Sequence, residues 1–192
     1  MIPEEEITGE VIEMLKKAVL NALNKQMNAE FYSEYLYLSM AAYFQSMSLT
    51  GFTHWMKCQA QEEHVHGMKF FNHIGERGGD ALVGSMESPP TKWKSPMAAF
   101  EHVLKHEQKV TGMINDFVNL SIQEKDHATN QFLQWFVSEQ VEEEASASEV
   151  LEKLRLVDKT EGGLLMIDTE LSARIPVLPL MPPPPGGEKT TG

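Results

Sequence analysis

The chain has 192 residues, 42% of them hydrophobic, which is enough for one domain around one core. Its net charge of −12, from 28 acidic against 16 basic residues, argues against a nucleic-acid partner; it fits ordinary solubility and equally the attraction of cations. Cys58 is the only cysteine, so no internal disulfide can form, which suits a reducing cytoplasm; MIPEEEITGE at the start is no signal peptide, and no apolar run reaches the ~18 residues of a membrane span.

Apolar periodicity predicts a first helix from Glu10 to Ser46, with a stripe of Leu20, Leu23, Met27, Leu38, Ala41 and Phe44, after an N-terminal extension over 1–13. A second helix is predicted from Leu49 to Arg77, N-capped by Ser48 and stopped by Gly78-Gly79. Residues 79–95 contain Pro89-Pro90 and cannot be helical. A connection of about 17 residues is long enough to cross the bundle and leave the second and third helices parallel. Ser95-Pro96 reads as the N-cap and first residue of a third helix, running to Gln123. After a turn at Lys125-Asp126-His127 the fourth helix is predicted from Ala128 to Val157. Gly162-Gly163 breaks the chain before a short fifth helix carrying Leu164, Ile167 and Leu171. The proline-rich stretch over 175–192 is read as a disordered tail. The fold class is therefore all-α: a four-helix bundle over 14–174 with a long crossover and a short C-terminal helix.

Charged residues occupy positions where this bundle should be apolar. Core positions recur in alternating steps of three and four. On the first helix that series places Glu30, Glu34 and Tyr37 among Leu23, Met27, Ala41 and Phe44. On the second it runs Phe52, Met56, Gln59, Glu63, His66, Phe70. On the third Glu107 falls between Phe100 and Ile114, and on the fourth Glu143 falls between Phe136 and Val150. A buried, unpaired carboxylate costs several kcal/mol, and four at one level also repel one another. No Lys or Arg lies on these stripes between the acids, so a bound metal pair is the candidate counter-charge. Carboxylates with one imidazole and no thiolate suit Fe, Mn or Zn. Glu63 and His66 form a Glu-x-x-His pattern on one helical face, as in diiron bundles. The pattern alone is weak; its register with Glu30, Glu107 and Glu143 gives it weight. His64 falls out of phase, and Cys58 reads as a plain free thiol.

At these residues the chain resembles the non-haem ferritins of bacteria and archaea. The stretches that carry the resemblance are NKQMNAEFYSEYLYLSMAAYF, AQEEHVHGMKFF, KHEQKVT, FLQWFVSEQVEEE and EGGLLMIDTELS, spread over 15–172. The resemblance implies iron storage in a homo-oligomeric shell of about 24 subunits. It implies a ferroxidase that oxidises Fe(II) to Fe(III) with O2 or H2O2. Glu30, Glu63 and His66 would hold one iron; Glu63, Glu107 and Glu143 would hold the other, with Glu63 bridging. Gln140 would sit beside the pair, and Tyr37 could supply an electron. A third iron site would comprise Glu62, Glu139, Glu142 and Glu143. No haem is expected, because Ser146 and not His follows Glu143 by three residues and His64 stands where haem-bearing relatives carry a methionine. Glu34 departs from the family pattern and is read as an accessory iron ligand one turn from Glu30. Asn130 and Leu133 stand where animal ferritins line an entry channel with acids.

Two rival classes follow from the same residues. A diiron or dimanganese oxidase that retains its metals would be expected to carry a second Glu-x-x-His, which this chain lacks. A subunit that only nucleates mineral would lack the full ligand set, which this chain has.

Overall fold

Residues 15–177 are described in the structure, a computed structural model of the chain. They form α1 (Lys17–Ser46), α2 (Thr50–Glu76), α3 (Pro96–Gln123), α4 (His127–Val157) and α5 (Gly163–Leu171), with no strand among the described residues. The first fourteen residues and the tail beyond residue 177 lie outside the described residues, so the extension and most of the tail are not placed. No described helix is long and apolar enough to cross a membrane.

Two helix starts differ from expectation. α1 begins at Lys17 and not at Glu10, since Lys16 has extended backbone with ψ 142. Leu15 is buried in the core, while the Lys16 ammonium bonds the Glu124 carbonyl at 2.8 Å and its carboxylate at 3.1 Å. The part of the predicted helix before Leu15 lies outside the described residues. Ser48 does not cap α2: it sits at φ 59, and the N-cap position is Leu49. The cap comes instead from α5, whose Asp168 Oδ1 accepts hydrogen bonds from the backbone N–H groups of Gly51 (2.8 Å) and Phe52 (3.0 Å). A carboxylate there satisfies exposed donors and suits the positive helix end. Gly51 allows the approach, because a Cβ at that position would lie 1.6 Å from the Asp168 carbonyl oxygen.

Local capping places the other two starts. Ser95 Oγ accepts from Ala98 N–H at 3.1 Å ahead of α3, as predicted. Asp126 accepts from Thr129 N–H at 3.0 Å ahead of α4 and is gripped by both guanidinium nitrogens of Arg77, at 2.9 and 3.1 Å. That pair ties the end of α2 to the α3–α4 turn.

The connection over 77–95 runs along α1 in the same direction as the helix. Asn24 donates to the Asp80 carbonyl (3.0 Å) and accepts from Leu82 N–H (2.6 Å). One turn later Asn28 donates to the Leu82 carbonyl (2.8 Å) and accepts from Gly84 N–H (2.7 Å), and Ser39 Oγ donates to the Pro90 carbonyl (2.6 Å). The chain thus returns along the bundle to the end where α2 began, so α3 runs parallel to α2, as the connection length implied. An extended strand with no sheet partner needs such side chains to satisfy its backbone.

Two apolar clusters fill the bundle. One, around Phe44, Phe52, Trp55 and Phe100, receives α5 through Ile167 and Leu171. The other joins Leu23, Met27, Phe70, Ile114, Leu133 and Phe136 at the opposite end. Leu133 is therefore core and not a channel lining, and Asn130 bonds Ser121 Oγ at 3.0 Å. Leu38, expected in the apolar stripe, is 45% exposed, because α1 turns the column of Ser33 and Tyr37 inward instead. Between the two clusters the core is polar.

Asn24→Ala strips the crossover of one donor and one acceptor at a buried site. We expect a loss of about 2 kcal/mol and faster proteolytic cleavage within 80–90, with helix content unchanged. Denaturant midpoints, circular dichroism and timed proteolysis check this.

Candidate metal centre

The polar layer takes residues from all four long helices. α1 contributes Glu30 and Tyr37, α2 contributes Gln59, Glu63 and His66, α3 contributes Glu107, and α4 contributes Gln140 and Glu143. All of these side chains are buried, Glu107 to 1% exposure. Helical spacing explains each pair: residues three apart lie one above the other, so the Glu63 and His66 side chains meet, Oε2 to Nδ1 at 3.4 Å.

Two sets of potential ligand atoms converge. Glu30, Glu63 and His66 each present an atom within 4.8 Å of the other two, and so do His66, Glu139 and Glu143. His66 belongs to both. The first set matches the sequence expectation. In the second, Glu139 and His66 stand with Glu143, while Glu107 joins neither set. Glu107 is held back by the Tyr37 hydroxyl, which donates to its Oε1, and by Gln140 Nε2, which donates to its Oε2 at 3.4 Å and to its backbone carbonyl at 3.2 Å.

Neutral donors serve the other acids too. Gln26 Nε2 donates to Glu30 Oε1 and Gln59 Nε2 to Glu143 Oε2, each at 2.7 Å. Among the described residues, no Lys or Arg pairs with Glu30, Glu63, Glu107 or Glu143. Gln26 was not legible as part of the site; its signal is its place one turn before Glu30. His106 is a further buried group, with a ring nitrogen 2.8 Å from Ser33 Oγ.

Burial favours the neutral form of these acids. It pushes the Glu143 carboxyl up to about 8, helped by Glu107, and the Glu107 carboxyl to about 7. Burial raises Glu63 well above the usual carboxylate range, and Glu107, Glu30 and Glu143 raise it further. Glu30 is raised by burial, and Glu30 and Glu63 share a hydrogen bond that favours the proton on Glu63. Burial holds His66 down to about 4, so its imidazole is neutral at physiological pH. Tyr37 is raised well above its ordinary value, first by burial and then by Glu107. The layer thus stores protons that cations would replace.

The outer residues are divided. Glu139 is half-buried, with its Oε1 4.0 Å from His66 Nε2. Glu142 is exposed. Glu62 is engaged by Arg174, Nη2 to Oε2 at 2.6 Å. No spacing pattern pointed to Arg174, which follows α5. Glu34 is not in the core: its carboxylate is 29% exposed and lies 3.1 Å from His64 Nδ1 on the outer surface. Its expected position inside the stripe is corrected by Ser33, which the packing of α3 selects in its place.

Comparison with known proteins shows the family. The sequence family described as a ferritin-like domain matches residues 20–157. A bacterial non-haem ferritin from Bacteroides fragilis (strain 638R) is 42% identical over 161 residues, spanning 84% of this chain and 100% of that one. One from Staphylococcus saprophyticus is 40% identical over 161 residues, covering 84% of this chain and 96% of its own length. Among solved structures, an open-pore ferritin from the archaeon Archaeoglobus fulgidus superimposes with a TM-score of 0.84 at 52% identity, over 85% of this chain and 100% of that one.

The raised carboxyls set a pH dependence. Between the ordinary value of 4.5 and the folded values of about 7 for Glu107 and about 8 for Glu143, the folded metal-free chain binds more protons than the unfolded one. Its stability therefore falls as pH rises through that window. Glu143→Gln should flatten the slope, and a divalent cation should restore stability at the upper end. Denaturant midpoints at about pH 5 and about pH 8, with and without metal, check both.

Proposed function

This chain belongs to the ferritin family and serves iron storage, and from that premise we propose that it is a ferroxidase with a diiron centre in each subunit. The observation that carries this reading is the buried carboxylate layer, where two ligand sets share His66 and no protein cation pairs with the inner acids. Iron here is substrate and cargo. Glu30, Glu63 and His66 hold one Fe(II); Glu143 and Glu107, with Glu63 between, hold the second. Glu107 can join while Tyr37 keeps its hydrogen bond to Oε1, because a carboxylate has a second oxygen to offer. Glu139 and Glu143 receive iron at the outer edge as part of a third site with Glu62 and Glu142.

The chain's own groups handle binding and protons. His66 is neutral and offers a lone pair at once. Glu63, Glu107 and Glu143 lose protons as the cations arrive, so binding releases acid. Each Fe(II) gives up one electron, and the two electrons with two protons reduce O2 to H2O2, or H2O2 to two waters. Carrying O2 on to two waters takes four electrons and four protons, and Tyr37, beside Glu107, and an iron at the third site are placed to supply the other two electrons. Ferric iron then hydrolyses and passes into the store. The single histidine leaves the site short of strong ligands, which favours turnover of iron over retention. We further propose that the chain assembles as a homo-oligomeric shell of about 24 copies and works in the cytoplasm.

Fe(II) mixed with the protein in air should give a fast absorbance rise in stopped flow. His66→Ala and Glu63→Ala should slow it by roughly a hundredfold or more. Size measurement should give a particle of roughly half a megadalton. A wild-type protein without a fast phase, or variants that keep it, would contradict the assignment.

A further inference from the structure

Arg174 is the one cation that reaches the edge of the carboxylate layer among the described residues' ion pairs with its acids. It enters from outside the bundle, on the short segment after α5. Its Nη2 lies 2.6 Å from Glu62 Oε2, and both side chains are largely buried, at 19% and 15% exposure. The guanidinium sits 4.6 Å over the Trp55 ring, and its Nη1 is buried with no hydrogen-bond partner. The Arg174 carbonyl lies 2.7 Å from His54 Nε2. Its charge also acts on Glu143, four residues from Glu139 and within the inner layer.

The segment is held at its root. Asp168 accepts from the first amides of α2, and the Lys153 ammonium of α4 bonds Glu170. Arg174 then lies only six residues beyond Asp168, against α2 at Trp55 and Glu62. Its own anchors, by contrast, are one ion pair, one ring contact, a hydrogen bond between its carbonyl and His54, and a long one from its N–H to the Leu171 carbonyl (3.4 Å). Such contacts can be exchanged without unfolding a helix.

We propose that Arg174 is a place-holding cation: it occupies Glu62 in the metal-free chain, and a divalent cation entering the outer carboxylates at Glu62, Glu139 and Glu143 must displace it, releasing the 172–177 strap from α2. The ion pair thereby sets how tightly the outer group takes metal and links its occupancy to the conformation of the C-terminal segment. An arginine keeps its charge at any physiological pH, so the place-holder stays cationic for as long as Glu62 is ionised. The proposal rests on the outer carboxylates binding metal but not on the oxidation chemistry, so the two can fail separately.

Mn2+ binding to the assembled, metal-free full chain, followed by the loss of its free-ion EPR signal, tests this. In Arg174→Gln the weakest intrasubunit Mn2+ site should tighten by about tenfold, with a smaller change at the inner site that shares Glu143 and none at Glu30, Glu63 and His66. In the wild type, saturating Mn2+ should speed hydrogen exchange at the amides of 172–177 by about tenfold, and Glu62→Gln should do the same without metal. The last two measurements do not depend on the arginine variant folding. Unchanged binding in Arg174→Gln, or strap amides that ignore both Mn2+ and Glu62→Gln, overturns the proposal; if fast Fe(II) oxidation persists in that case, the ferroxidase reading stands without it. A wild type that neither binds Mn2+ nor oxidises Fe(II) overturns both.

Discussion

Four carboxyl groups at one level of the bundle, with no ammonium or guanidinium of the described residues paired with them, are the constraint that organises this molecule. Glu30, Glu63, Glu107 and Glu143 cannot all ionise in that space. The chain answers in the absence of metal with protons and neutral donors. Gln26, Gln59, Gln140 and the Tyr37 hydroxyl each hold one oxygen of an acid. These donors stabilise the acids less than a cation would, and the layer stays poised to exchange protons for metal. A guanidinium on one of the stripes would stabilise the empty bundle and spoil the site.

The rest of the fold keeps that layer in place. The apolar clusters at the two ends supply the burial that drives packing, so the centre can be polar without loss of a core. The crossover fixes the order of the helices: because 77–95 is tied along α1 by Asn24 and Asn28, α3 enters at the same end as α2. Glu107 and Glu63 then face each other across the bundle at a common height. α5 closes one end by capping α2 through Asp168. That contact also determines where the chain beyond it can reach, and so brings Arg174 to Glu62.

Periodicity made the inner ligands legible, and its ambiguity accounts for what it misplaced. The predicted series on α2 and α3 is buried at every position, because each of those helices presents one straight stripe to the core. On α1 and α4 a step of three or four leads to adjacent residues about 100° apart, and the pattern alone does not choose between them. Ser33 took the place read as Glu34, and on α4 Leu133, Gln140 and Ala147 are buried alongside Phe136, Glu143 and Val150. Which neighbour is chosen depends on the flank against which the partner helix packs, which is a tertiary fact. Asn24, Gln26, Asp168 and Arg174 were invisible for another reason. Each is a single polar residue whose partner is remote in sequence or unremarkable in type, so no repeat announces it. Ser48 failed as a cap because an aspartate 120 residues later had already taken the role.

The central claim is that the inner acids converge because cations belong among them. Anomalous diffraction from crystals soaked anaerobically in Fe(II) measures this directly. The account predicts two iron peaks inside each subunit, one against Glu30, Glu63 and His66 and one against Glu143 and Glu107. Iron found only on the surface carboxylates, with the inner layer still holding its protons and its glutamine contacts, would contradict it.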